Sequence, residues 1–176
     1  SRCRMTPLWY LVAFVVIQRL GELVWARYNT RRLMAEGATE HGRRHYPAIV
    51  LLHSAWIGAI ALLVPPDMPV QPVWLGLFIL LQIGRCWVIL SLGRLWTTRI
   101  IVPSNGQLVA RGPYRYLRHP NYLIVAAEFV ALPMIFSAWR IAIVFSVMNA
   151  GLLWWRIRIE DRALDARRTG DRQRAG

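Results

Sequence analysis

The 176-residue chain contains no lysine; all 22 of its basic residues are arginine. Acidic residues are scarce, nine against those 22, which leaves a formal charge of +13. There are two cysteines, Cys3 and Cys86, far apart in sequence. That excludes a disulfide-stapled scaffold and any zinc-type cysteine spacing, and no metal site is expected. Glycine is ordinary in amount, so a collagen-like repeat is excluded. Disorder is excluded because it requires few apolar residues, whereas here 56% are hydrophobic. No internal repeat and no low-complexity segment is found.

What is present is a series of long apolar runs. A spanning helix needs about 20 mostly apolar residues. Five segments approach this: 7–25, 47–64, 73–92, 122–139 and 141–157. Only Arg140 separates the apolar parts of the last two, which therefore read as a short helical hairpin. The expected fold is an all-α integral membrane protein with five transmembrane helices and a cytoplasmic C-terminal helix. It forms one domain, with a loop over 94–121 and a tail over 158–176. The first run also has the basic start of a signal peptide (Arg2, Arg4), but no small-residue cleavage site follows it.

The arginines are partitioned. Five lie between the first two runs, five between the third and fourth, and seven from Arg156 onward. The stretch from Pro65 to Pro72 has none. Arginine-rich loops stay cytoplasmic, so the N-terminus is expected outside and the C-terminus inside. The positive charge then marks topology and attraction to anionic lipid. Nucleic-acid binding is not expected.

Ionisable residues inside spanning segments are costly and point to functional sites. Arg19, Glu22, His53, Arg85 and Glu128 all fall about two turns from the inner face. Arg19 and Glu22, three apart, can neutralise each other, and Arg85 can snorkel to the surface. His53 suits a helix–helix contact. Glu128 has no partner within its own helix. A polar pocket in the inner leaflet explains all of them jointly.

The segment from Gly106 to Tyr122 reads GQLVARGPYRYLRHPNY. Gly112-Pro113 signals a turn. Pro120 restricts His119 and suits the first turn of a helix. That helix N-terminus attracts anions, and the faces of Tyr114, Tyr116 and Tyr122 attract cations. A ligand with a carboxylate, a cation and a flat base, such as S-adenosylmethionine, suits this combination. An interfacial anchor suits it as well.

GPYRYLRHPNY resembles the RHPxY signature of the isoprenylcysteine carboxyl methyltransferase family of membrane enzymes. Arg156, Ile157, Glu160, Asp161 and Leu164 resemble that family's second signature, RIxxEExxL. Gly37–Glu40, His45-Tyr46-Pro47, His53 and the stretch from Leu92 to Val102 are similar to a bacterial branch associated with O-methylation of alkylpyrones and alkylresorcinols. Two departures stand out. The second acidic position is Asp161 rather than glutamate, and the tail ends in arginines rather than in a tyrosine-rich segment.

The resemblance implies an S-adenosylmethionine-dependent O-methyltransferase, with S-adenosylhomocysteine as product. The acceptor would be a lipidic molecule, either of prenylcysteine carboxyl type or a long-chain phenol or pyrone. Leu108, Val109, Gly112, Tyr114, His119, Pro120, Tyr122 and Glu160 are the implied cofactor-binding residues. Arg118 and Arg156 are candidates for orienting the acceptor, and Glu160 and Glu128 for the base. Arg156 and Glu160, four apart, can also form an ion pair. An NADPH-dependent sterol-type reductase and a non-catalytic scaffold are the competing classes.

Overall fold

The computed structural model describes residues 6–41, 46–102 and 112–174. Helix α1 spans Pro7–Ala35, α2 Tyr46–Leu63, α3 Pro72–Leu92, α4 Pro120–Met134 and α5 Trp139–Arg174. Two three-residue strands, β1 (Thr39–His41) and β2 (Ile100–Val102), pair antiparallel with Glu40 opposite Ile101. The all-α expectation therefore holds apart from this short ladder, which ties together the two arginine-rich connections.

Proline starts three of the helices, at Pro7, Pro72 and Pro120. Its missing N–H is one that a first turn leaves unbonded anyway. Four helices are long and apolar enough to cross a membrane, but α4 has only 15 residues. At ~1.5 Å per residue α4 covers roughly 22 Å, less than the ~30 Å of hydrocarbon. It is the packed centre of the bundle, with Val125, Glu128, Phe129, Ala131, Leu132 and Pro133 buried between α3 and α5, and its far end meets the α2–α3 connection, where the Gln71 N–H donates to the Ile135 carbonyl at 2.8 Å. Beyond it, Ser137 adopts φ 55° and the chain reverses into α5.

Besides α4, which ends at Met134 rather than at 139, two helices run well past the expected bounds. Helix α1 runs ten residues past Trp25, through the arginines that follow the apolar run. Helix α5 has 36 residues, so the C-terminal helix is the continuation of the last spanning helix. The helices are amphipathic only in an inverted sense. Ile17, Val24, Leu62, Val73, Leu80 and Leu90 are exposed, as suits a surface facing lipid rather than water. The interior holds Leu8, Val15, Leu52, Ile60, Phe78 and Phe136. At its heart Trp56 stacks on Phe129, with ring centres 4.3 Å apart.

Asn29, buried on α1, secures the far end of α3. Its side-chain N–H group donates to the carbonyls of Gly93 and Trp96, at 3.2 and 2.9 Å. The helix end of α3 and the connection after it are thereby fixed against α1.

Candidate active site

Three polar layers lie at the arginine-rich end of the bundle. The deepest is a closed charge cluster. Arg85, only 4% exposed, donates from Nε and Nη2 to Glu22, at 2.5 and 2.8 Å, and from Nη1 to Glu128, at 2.9 Å. Arg19 donates to Glu128 at 2.6 Å and to Glu22 at 3.1 Å. Gln18 donates to Gln82, which donates to the other oxygen of Glu128. Two guanidiniums and two carboxylates from three helices thus neutralise one another. Buried charges are tolerated only when paired in this way.

This arrangement corrects two expectations. Arg85 does not snorkel, because two carboxylates hold it inside. Glu128 has both oxygens engaged, one by Gln82 and one by two arginines, so it is arranged as a counter-ion rather than as an open base. Its partners come from α1 and α3, which is why none was visible within α4.

Above the cluster is a cavity of about 90 Å³, bordered by Glu22, His53, Arg85, Asn121, Asn149 and Arg156 among others. Of the five residues whose common depth pointed to a polar pocket, Glu22, His53 and Arg85 border this cavity, whereas Arg19 and Glu128 lie in the cluster beneath it. His53 Nδ1 lies 2.9 Å from the Ile49 carbonyl, and the ring packs edge-on against Phe129.

The outermost layer joins the two signature segments. His119 sits at φ −133° and ψ 61°, outside the helical region, and Pro120 starts α4 behind it. The His119 and Tyr122 rings stack, with centres 5.2 Å apart. Arg156 Nε donates to the Tyr122 hydroxyl at 2.8 Å, and that hydroxyl donates to Glu160 at 2.5 Å. Arg156 and Glu160 thus meet through a phenol: guanidinium, hydroxyl and carboxylate form a chain across α4 and α5. Arg156 also donates to the Thr98 carbonyl at 2.9 Å, which anchors the connection after α3. His119 Nδ1 lies 3.9 Å from the same Glu160 oxygen. Arg118 is exposed at the rim.

Tyr114 packs against Val88 and Trp96 of the α3 end. Burial, and then the charge of Glu160, push its phenol above the usual range, so it remains protonated. Gly112 precedes it at φ +57°, where a Cβ would collide with the Ser91 side chain and approach Trp87 Nε1 to 3.2 Å. Any other residue is strained there. Gly112→Ala is expected to cost about 1–3 kcal/mol, readable as a lowered thermal midpoint in detergent. An unchanged midpoint would show that the turn does not depend on this glycine. Leu108 and Val109 lie outside the described residues.

Sequence reasoning passed over Gln18, Gln82, Asn121 and Asn149. All four are uncharged, and a search for ionisable groups in apolar runs does not register them. An asparagine in the middle of a spanning segment is the signal that could have found Asn149.

The isoprenylcysteine carboxyl methyltransferase (ICMT) family matches residues 74–166, from α3 through most of α5. An uncharacterized protein of Bacillus subtilis (strain 168), YpbQ, is 38% identical over 160 residues, 89% of this chain and 95% of that one. An uncharacterized protein of Haemophilus influenzae is 24% identical over 141 residues, 77% of this chain and 82% of its own. No solved structure gives a significant match. The matched range contains both signature segments and the hydroxyl bridge that joins them: this chain belongs to the isoprenylcysteine carboxyl methyltransferase family, a family of membrane methyltransferases.

Proposed function

We propose that the protein is an S-adenosylmethionine-dependent O-methyltransferase. It methylates a lipidic acceptor at the cytoplasmic face of a bacterial inner membrane, with its N-terminus outside and its C-terminus inside. The observation that carries this reading is the Arg156–Tyr122–Glu160 chain beside the stacked His119. It places a carboxylate, a guanidinium and aromatic faces around one spot, next to a polar cavity within the bundle.

Those groups fit the proposed donor. Glu160 suits hydroxyls or an ammonium, Arg156 and Arg118 suit a carboxylate, and the Tyr122 and Tyr114 rings suit a sulfonium. Pro120 places the positive end of α4 at the same spot. Gly112, with Leu108 and Val109, would contribute backbone contacts. When bound, the donor supplies an electrophilic methyl group.

The chain's own residues then align and desolvate. Alignment and exclusion of water supply most of the gain in such a displacement. A carboxylate acceptor is already ionised and needs only orientation. A phenol or enol must lose a proton, for which Glu160 is the carboxylate among the signature residues, with the Tyr122 hydroxyl already bonded to its Oε2.

The reading is tested on detergent-purified protein given methyl-labelled S-adenosylmethionine, with a farnesylcysteine analogue and an alkylresorcinol offered side by side. Label is expected in a lipid product, together with saturable binding of S-adenosylhomocysteine. Binding of NADPH in place of S-adenosylhomocysteine would point to a reductase. Binding of neither would point to a scaffold.

A further inference from the structure

Arg156 is a long side chain whose guanidinium is held at two points. Nε donates to the Tyr122 hydroxyl at 2.8 Å and Nη2 to the Thr98 carbonyl at 2.9 Å. Two contacts on a rigid planar group fix its plane. They also fix where Nη1 points, and Nη1 has no partner among the described residues. Arg156 borders the cavity, so that direction sets what the guanidinium can offer a bound molecule. The Tyr122 anchor stands on helix α4. The Thr98 anchor lies between the end of the α3 turn and β2, outside any helix or strand. A carbonyl there holds the guanidinium only as firmly as its own stretch of chain is held.

That stretch is secured by side chains from three other elements. The Trp96 carbonyl accepts from Asn29 of α1 at 2.9 Å. Thr97 Oγ1 donates to the Arg99 carbonyl at 2.8 Å, closing a turn around Thr98. Arg99 then reaches out of the turn in two directions. Its Nη1 donates to Glu40 of β1 at 3.0 Å, and its guanidinium carbon lies 4.8 Å from the centre of the Tyr46 ring at the start of α2. The Glu40 side chain is only 7% exposed, so this is not the fully solvated kind of pair that contributes little. Tyr46 touches Thr98 as well, its hydroxyl lying 3.4 Å from Thr98 Oγ1.

We propose that Arg99 is a positioning residue for Arg156. Clamped between Glu40 and Tyr46, it keeps the Thr98 carbonyl where Arg156 Nη2 meets it, and so sets the guanidinium of the Tyr122 bridge. Thr97 and Thr98 border the cavity but Arg99 does not, so its effect passes through Arg156. The proposal rests on the transferase reading only where a rate of methyl transfer is measured; the coupling of Arg99 to Arg156 stands separately.

The test is a double-mutant cycle on the full-length protein in detergent. Arg99→Met together with Glu40→Gln removes the clamp without leaving the Glu40 charge behind, and Arg156→Gln removes the guanidinium. Losing the clamp is expected to lower kcat/KM for methyl transfer about tenfold, the size of one hydrogen bond to a charged group. In the Arg156→Gln background the same loss should cost less than about twofold, because the group it acts through is gone. Arg99→Lys keeps a cation for Glu40 and for the Tyr46 ring, and should stay within about threefold of wild type. A clamp that only holds the fold together predicts equal losses in both backgrounds, and that result overturns the proposal. Thermal midpoints of the same four proteins give the cycle a readout without turnover. If wild type transfers no label from S-adenosylmethionine, the transferase reading fails, and the midpoints decide the positioning claim. They do so too if Arg156→Gln has no measurable turnover. Non-additive midpoints keep the claim and additive ones overturn it.

Discussion

Arg85→Met is expected to destabilise the protein by about 3–5 kcal/mol, the usual consequence of removing one member of a buried ion pair. Without Arg85, Glu22 loses two of its donors and Glu128 one, and both carboxylates are left sharing Arg19. A thermal melt in detergent should show the loss directly, and low yield of folded protein would be its extreme form. The informative control is the double variant Arg85→Met with Glu128→Gln. It restores one positive and one negative charge, Arg19 with Glu22, and should recover more than half of the lost stability. Arg85→Lys should recover less, because an ammonium cannot make the forked contacts of a guanidinium. If Arg85→Met melts within a degree of wild type, the cluster is not a structural unit. The idea that the cavity floor is fixed by it then fails too.

Tyr122→Phe is expected to lower kcat/KM for methyl transfer about 100-fold with the fold intact. The ring, its stacking on His119 and its packing all survive the substitution; only the hydroxyl is lost. That hydroxyl accepts from Arg156 and donates to Glu160. Hydrogen bonds to charged groups are worth roughly 1.5–3 kcal/mol each, and a tenfold rate change corresponds to about 1.4 kcal/mol. Losing both contacts therefore predicts about two decades or more. Part of the loss should appear as weaker S-adenosylhomocysteine binding, because Glu160 and Arg156 are released together. Activity within threefold of wild type would remove the hydroxyl bridge from the site.

How far the sequence foretold this arrangement depends on the kind of interaction. The spanning segments could be read because apolar runs of helical length leave few alternatives in lipid. The depth of Glu22, His53 and Arg85 could be read because rise per residue converts position into height. The pairing could not. Helical spacing made Arg19–Glu22 visible, but Glu128 finds Arg19 and Arg85 across 109 and 43 residues. Such contacts depend on how the helices rotate about their axes. The continuation of α1 to Ala35 was hidden for another reason. Hydropathy ends where the lipid ends, whereas arginine, leucine, methionine and alanine go on favouring helix in water. At the outer layer the signature residues were legible as a set. That Tyr122 stands between Arg156 and Glu160, taking the place of a direct ion pair, required the α4–α5 geometry.

The unbroken run of α5 has a mechanical consequence. Asn149, Arg156 and Glu160 are seven and eleven residues apart, just under two turns and just over three. They therefore form one stripe, within about 40° of each other around the axis and spread over roughly 16 Å of rise. The helix acts as a measuring stick on which these three side chains are marked at a set interval. One alanine inserted between Leu153 and Arg156 would turn every mark beyond it by about 100°. Asn149 would stay in place while Arg156 and Glu160 swung off the Tyr122 hydroxyl. In this protein the register between the cavity and the Tyr122 bridge is written into the pitch of a single helix rather than into the closing of two domains.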